Sequence, residues 1–345
     1  MKKIGYGVVG LGMGMTHLDL AASNPNVGYV AYCDINEERM ARAAANHPDA
    51  VPYREFDEMI KDEKIDIVSI ALPTGMHAEF TIKALEAGKH VLCEKPIDIN
   101  VERGLAVEEA RIRTGKKVGL IFQNRNNAVI REAKKNIEAG KLGKLILGTF
   151  AVKWHRTQAY YDAGGWRGTW AMDGGGSLMN QSVHTVDLMQ YLMGDVESVQ
   201  GHYTVANHAI ETEDLSTSVI KFKNGALATF VSTTCCNPEG GTLIQVYGAD
   251  GTIEINGDVL QKWKTNDSTP ESEAEMLAKY ATGNAALVAA DPTLAVGHKS
   301  QIDDMIDAVI NDRDPQVGPM EGIKAVRIIN AVYESSRTGK VIYFD

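Results

Sequence analysis

Apolar residues in the first third of the chain fall into short runs, each followed by a stretch with apolar residues at helical spacing among charged ones. The runs at 4–9, 27–33, 65–72, 91–93 and 118–122 read as strands buried on both faces. Between them, 16–23, 37–46, 56–60, 77–87 and 101–114 read as helices or helical turns, punctuated by Asn24-Pro25, Pro48, Gly88 and Gly115. This alternation predicts a doubly wound, mostly parallel sheet with helices on both faces.

Beyond residue 122 the texture changes. Residues 125–139 read as a helix ending at Gly140, and the later runs at 145–154, 196–205, 215–222, 226–233, 242–247 and 252–255 are strand-like. Turn signals at Lys223-Asn224-Gly225 and Ala249-Asp250-Gly251 separate hairpin-like pairs, so this part is expected to form a largely antiparallel sheet. A glycine-rich loop and a helix occupy 174–192, and further helices are expected at 300–310 and 320–335. The Ala-, Glu- and Ser-rich stretch 267–293 has helical tendency without an assignable packing. The expected division is 1–122 and 123–345.

Composition narrows the class. A chain of 345 residues, 44% hydrophobic and 23% charged, has the material for two domains with cores, which excludes a disulfide-stapled scaffold and general disorder. Thirty-five basic against forty-five acidic side chains leave a net charge of -10, which opposes contact with nucleic acid or an anionic membrane. Four cysteines form neither a disulfide framework nor a paired CxxC motif. The N-terminal run is too short and glycine-rich for a signal peptide, and no 18-residue apolar stretch occurs. A cytoplasmic protein is expected.

The first strand leads into Gly10-Leu11-Gly12-Met13-Gly14. Glycines here allow a tight turn and let backbone N–H groups approach a pyrophosphate at a helix N-terminus. The usual third small residue falls at Met15, with the glycine displaced to Gly14, and an ordinary strand-to-helix turn is the alternative. Asp34, closing the second strand, is placed to accept hydrogen bonds from an adenosine ribose and to repel a 2′-phosphate, so NAD is preferred over NADP. Arg39, a turn further on, weighs against that preference. Leu72-Pro73-Thr74 ends the fourth strand where ligands sit in such sheets, and His77 opens the next helix as either a ligand contact or a structural histidine.

Two further blocks carry reactive groups. Cys93-Glu94-Lys95-Pro96 places Lys95 at the same sheet edge, able to stabilise a developing oxyanion unless it is merely a surface lysine, while Glu94 either orients it or caps the next turn. In the block 174–187, a helix from Leu178 would set Asn180, His184 and Asp187 on roughly one face. His184 is then the candidate general acid/base with Asn180 as its hydrogen-bond partner, against the alternative of a satisfied buried histidine. No metal is expected: the HxxD spacing lacks further ligands, His202 and His208 have no clear companion, and Cys235 and Cys236 read as structural thiols. Arg156, Tyr161, Trp166 and Arg167 lie in aromatic, cationic segments suited to a sugar ring and its hydroxyls or, equally, to a subunit interface.

Taken together, the glycine turn, Asp34, Pro73-Thr74 with His77, Glu94-Lys95-Pro96 and the 174–187 block resemble the Gfo/Idh/MocA family in residue type and order. The resemblance implies an α/β protein with an N-terminal Rossmann domain and a C-terminal α/β domain whose open, largely antiparallel sheet supports homodimers or homotetramers. It also implies a nicotinamide cofactor, and Lys95 and His184 match the family's catalytic lysine and histidine. Cofactor contacts are expected from Gly10, Gly12, Met13, Gly14, Asp34, Arg39, Leu72, Pro73, Thr74, His77, Glu94 and Lys95. Substrate contacts are expected from Lys95, Arg156, Tyr161, Trp166, Arg167, Asn180 and His184. Inositol dehydrogenase-like members carry aspartate at the position of Asn180. The implied activity is reversible oxidation of a secondary hydroxyl on a sugar, sugar derivative or cyclitol. The alternatives are reduction of a nucleotide-sugar or other carbonyl or imine, and a non-catalytic NAD(H)-binding regulator.

Overall fold

The computed structural model describes residues 3–290 and 296–344. Two compact units emerge by contact: Met1–Phe122 with His298–Ile323, and Gln123–Gly297 with Lys324–Asp345. Residues 298–323 therefore depart from the expected division into 1–122 and 123–345.

The first unit is built on a six-stranded parallel sheet. Its strands are β1 (Ile4–Val9), β2 (Val27–Cys33), β3 (Val51–Tyr53), β4 (Ile67–Ile70), β5 (His90–Cys93) and β6 (Val118–Leu120), in spatial order β3-β2-β1-β4-β5-β6. Every residue of β1 and β4 is buried, as expected where helices cover both faces. The connecting helices are α1 (Gly14–Ser23), α2 (Glu37–Asn46), the short α3 (Phe56–Met59), α4 (His77–Glu86) and α5 (Val101–Thr114). Local chemistry sets their ends: Asn36 and Asn100 accept the N–H of the residue three further on, and Gly115 closes α5 in the left-handed conformation at φ 65. The strand expected at 65–72 is confined to β4, because Pro73 and the 3-10 turn Thr74–Met76 follow closely. Ile302, Met305 and Ile306 join Tyr6, Val8, Leu18 and Ile67 in one buried cluster, which is why residues 298–323 group with this unit.

The second unit carries an eight-stranded mixed sheet. After α6 (Ala128–Glu138) come β7 (Leu145–Lys153), α7 (Gln158–Asp162), α8 (Val183–Met193), β8 (Val196–Thr204), β9 (Leu215–Phe222), β10 (Leu227–Thr233), β11 (Gly241–Gly248), β12 (Thr252–Asn256) and β13 (Val259–Lys264). The stretch of unassigned packing contains α9 (Pro270–Lys279) and α10 (Gly283–Ala290), while 291–293 lie outside the described residues. Two helices, α11 (Gly297–Ile310) and α12 (Pro319–Thr338), precede the edge strand β14 (Ile342–Tyr343). Spatial order is β13-β12-β11-β7-β10-β9-β8-β14, antiparallel throughout except for the parallel pair β7 and β10. Burial alternates along β9, with Ser218, Ile220 and Phe222 inward and Thr217, Val219 and Lys221 outward. One face is thus covered, α8 packing on β7 and β11, and the other is open.

Candidate active site

In the first unit, β1 ends at Gly10, whose φ of 85 takes the chain round the turn and whose hypothetical Cβ would lie 2.4 Å from the Ala71 carbonyl oxygen. Gly12 faces open space, its nearest neighbour on that side being the Arg39 guanidinium at 3.8 Å. Met13 is exposed and precedes α1. Gly14 opens the helix, and a Cβ there would sit 2.9 Å from Val8 Cγ1 and 3.1 Å from Ala71 Cβ. Close packing of helix on sheet, the service usually given by a small residue one place later, is supplied by Gly14, which lets Met15 be buried. Asp34 terminates β2 and closes the turn: Oδ2 accepts the Leu11 N–H at 2.6 Å, Oδ1 accepts that of Asn36 at 2.7 Å, and Arg39 Nη1 stands 3.6 Å away. An uncovered Gly12 beside a helix N-terminus and a buried carboxylate at the next strand end fits a dinucleotide.

Leu72, Pro73 and Thr74 follow β4 at the carboxyl edge of the sheet. His77 is 1% exposed, with Nδ1 2.6 Å from the Pro96 carbonyl and Nε2 2.8 Å from that of Leu72. Its ring ties the loop after β4 to the loop after β5, so the structural alternative accounts for both nitrogens. Glu94 turns inward. Its Oε1 lies 2.9 Å from His17 Nε2 and 3.3 Å from His298 Nε2, its Oε2 accepts the Lys95 N–H at 3.2 Å, and His17 Nδ1 is held by Ser69 Oγ at 2.7 Å. Burial opposes ionisation of Glu94, but the hydrogen bonds and charges of His17 and His298 outweigh it and hold the carboxyl well below the usual carboxylate range. Lys95, next in the chain, begins the loop with its backbone anchored to that anion.

In the second unit, the expected continuous helix is interrupted. Ser177–Gln181 forms a π-helical turn, and α8 starts afresh at Val183, so Asn180 and His184 do not share a regular helical face. A different observation singles them out: from Asp173 to Gln190 every residue is buried except Asn180 and His184. Asp187 is engaged elsewhere, accepting from Arg125 Nε at 2.7 Å and Nη2 at 2.5 Å in a buried bidentate pair.

Asn180 heads a polar chain. Its Nδ2 donates to Asp173 Oδ1 at 2.6 Å, and its Oδ1 accepts from Gln181 Nε2 at 2.9 Å. Gln181 Nε2 also donates to the Tyr160 hydroxyl at 2.7 Å, while Gln181 Oε1 accepts from Arg156 Nη2 at 3.1 Å. Arg156 stacks on Trp154 and Tyr160, and Arg167 on Tyr160 and Trp166, so these cations and rings form one surface. Tyr161 is not on it. At 4% exposure its hydroxyl pairs with Thr234 Oγ1 at 2.7 Å inside the unit, and Tyr160 occupies the outward place expected for Tyr161.

Spacing did not single out His17, His298, Asp173, Gln181, Tyr160 or Glu213. A histidine among the apolar residues Met15, Leu18 and Ala21 of α1 was a legible signal; the others have none. Among the described residues, two groups bring ligand-type atoms within 4.8 Å of one another: His17, Glu94 and His298, and His208, Asp214 and Cys235. In the second, Asp214 already accepts the N–H groups of Ala206, Asn207 and His208, and burial pushes the Cys235 thiol up to about 11. Hydrogen bonds account for the first.

A parallel sheet with a glycine turn and an acidic residue closing β2 defines a dinucleotide-binding oxidoreductase fold, joined here to a mixed-sheet α/β unit. Residues 4–122 match the oxidoreductase-family NAD-binding Rossmann fold, and residues 134–344 match the same family's C-terminal alpha/beta domain. The chain belongs to the Gfo/Idh/MocA oxidoreductase family. It is 25% identical to levoglucosan dehydrogenase of Pseudarthrobacter phenanthrenivorans over 292 residues, 74% of each chain. Identity is also 25% over 323 residues with the NADP(+) scyllo-inositol 2-dehydrogenase IolW of Bacillus subtilis, covering 90% of this chain and 88% of that one. The WlbA dehydrogenase from Bordetella pertussis, solved with NADH and UDP-GlcNAcA, superposes with a TM-score of 0.89 at 30% identity, covering 100% of this chain and 98% of that one.

Proposed function

We propose that this protein reversibly oxidises a secondary hydroxyl of a sugar, sugar derivative or cyclitol with NAD as hydride acceptor. The observation that carries the reading is the surfacing of Asn180 and His184 alone within a buried stretch, in a family whose relatives include sugar and cyclitol dehydrogenases. The nicotinamide supplies hydride acceptance. His184 takes the hydroxyl proton, and Asn180, anchored through Asp173, orients the substrate or the ring. Lys95 holds the oxygen as it gains negative charge. Arg156 and Arg167, with Tyr160 and Trp166, bind hydroxyls and the sugar face. Gly10, Gly12, Met13 and Gly14 cradle the pyrophosphate, Asp34 binds the adenosine ribose, and Leu72, Pro73, Thr74 and Glu94 shape the nicotinamide side. NAD is preferred because Asp34 repels a 2′-phosphate, although Arg39 stands close to it.

No helix among the described residues is long and apolar enough to cross a membrane. A cytoplasmic homodimer or homotetramer is proposed, paired through the open face of the eight-stranded sheet, where Leu147, Leu227 and Val219 are exposed on adjacent strands. A second reading, a nucleotide-sugar substrate, is favoured by the full-length likeness to WlbA. Both are tested by following cofactor absorbance with NAD and NADP against sugars, inositols, their oxidised forms and UDP-sugars. Lys95→Ala and His184→Ala are expected to lower kcat by roughly 10²–10⁴-fold, with a smaller effect on NADH affinity. Unchanged turnover in both variants would remove these roles.

A further inference from the structure

Glu213 lies two residues before β9 and is fully buried, yet no step above uses it. Its carboxylate receives three donors from two distant segments. Oε2 accepts the Gly176 N–H at 2.9 Å, while Oε1 accepts the Leu178 N–H at 2.7 Å and the Tyr333 hydroxyl of α12 at 3.0 Å. Its main-chain oxygen accepts the Ser177 N–H at 2.9 Å. Three consecutive amides at the entrance of the π-turn that carries Asn180 are thus fixed by one residue. The backbone has been cut to fit: a Cβ at Gly176 would lie 1.9 Å from the Glu213 oxygen, and one at Gly175 would lie 2.1 Å from the Tyr333 hydroxyl.

We propose that Glu213 is a positioning residue whose carboxylate holds the 176–181 turn in the conformation that presents Asn180 and His184 for catalysis. The inference rests on the functional reading above. Three donors converge on the two carboxyl oxygens of Glu213, so this one side chain ties the amides at the mouth of the turn to α12 through Tyr333. Burial pushes the Glu213 carboxyl up to about 7, against the amides and Tyr333, which pull it down. The ionisable groups around it are Tyr333 from α12, Tyr161 from α7, Asp173 ahead of the turn, and Asp214 with its partner His208. Among these groups the one that can carry a positive charge is His208, and its Nδ1 lies 2.9 Å from Asp214 Oδ2.

The sign of the linkage separates this from a purely structural role. Because the folded carboxyl titrates above its ordinary 4.5, folding takes up a proton there, and the stability contributed by this group falls as pH rises from about 4.5 to about 7. Local opening, which returns the carboxyl to solvent, is linked in the same way, so order in the turn, and activity with it, falls as pH rises through that window. The test is amide hydrogen exchange of the 174–184 segment in the full-length protein, corrected for intrinsic rates, alongside pH profiles of kcat on a substrate from the screen. Wild-type protection and kcat are expected to fall as pH rises from about 4.5 and to level off through an inflection near 7. Glu213→Gln is expected to flatten both and lower kcat by roughly 10–100-fold, with NADH affinity little changed. Tyr333→Phe, which leaves both amide bonds in place, is expected to move the inflection to higher pH, and it carries the test if Glu213→Gln fails to fold. A Tyr333→Phe inflection identical to wild type, or undiminished protection and an unchanged profile in Glu213→Gln, would overturn the proposal. Failure to turn over any sugar would instead strike the functional reading, since exchange alone reads the turn.

Discussion

Both units contain a glycine-rich turn leading into a helix, and the two use glycine for opposite ends. In the first, Gly12 has nothing but the tip of Arg39 near its missing side chain. In the second, the volume a side chain would need at Gly175 and Gly176 is filled by Tyr333 and Glu213. The first turn keeps space free at Gly12 while Gly10 and Gly14 pack against Ala71 and Val8; at Gly175 and Gly176 the second gives its space to its own chain. Similar composition therefore marks a binding surface in one place and a rigid support in the other, and only the identity of the neighbours tells them apart.

The contrast can be broken at defined points. The largest effect is expected from Gly176→Ala, where the methyl group meets main-chain oxygen that cannot step aside; a loss of about 3 kcal/mol in denaturant unfolding is expected. Were that variant as stable as wild type, the packed reading of the turn would be wrong. Asp34→Ala comes next. It removes the acceptor of the Leu11 N–H as well as the proposed ribose contact, so NADH affinity should fall roughly tenfold, about 1.4 kcal/mol, and the proposed preference for NAD over NADP should narrow. An unaltered cofactor ratio by titration would detach Asp34 from cofactor choice. The smallest effect on folding is expected at Gly12→Ala, within about 0.5 kcal/mol, because the added methyl meets no close atom. Its affinity for NADH should nevertheless weaken severalfold, and equal destabilisation of the Gly12 and Gly176 variants would erase the distinction between the turns.

How much of this was legible beforehand varies with how local its cause is. The parallel sheet was readable because strands buried on both faces appear as unbroken apolar runs, although β3, three residues long and containing Pro52, left no such run. Gly14 was visible as a displaced glycine, and its packing against Val8 shows why the displacement is tolerated. Asn180 and His184 were picked out by a four-residue spacing whose premise, a regular helix, the π-turn removes. Asn180 stands where inositol dehydrogenase-like members carry aspartate, and Asp173 places a carboxylate 2.6 Å from its amide. Tyr160 and Tyr161 could not be ranked from composition, since adjacent side chains differ only in which way the short helix α7 faces.

The amino-acid sequence by itself determined the family and the two kinds of sheet, because those follow from periodicity and from residue types at short spacing. Tertiary structure alone decided that residues 298–323 complete the first unit, that Glu94 is flanked by His17 and His298, and that Glu213 supports the turn bearing Asn180. Each of those contacts joins segments tens to hundreds of residues apart, and a hydrogen bond between them depends on three-dimensional placement that no local pattern encodes.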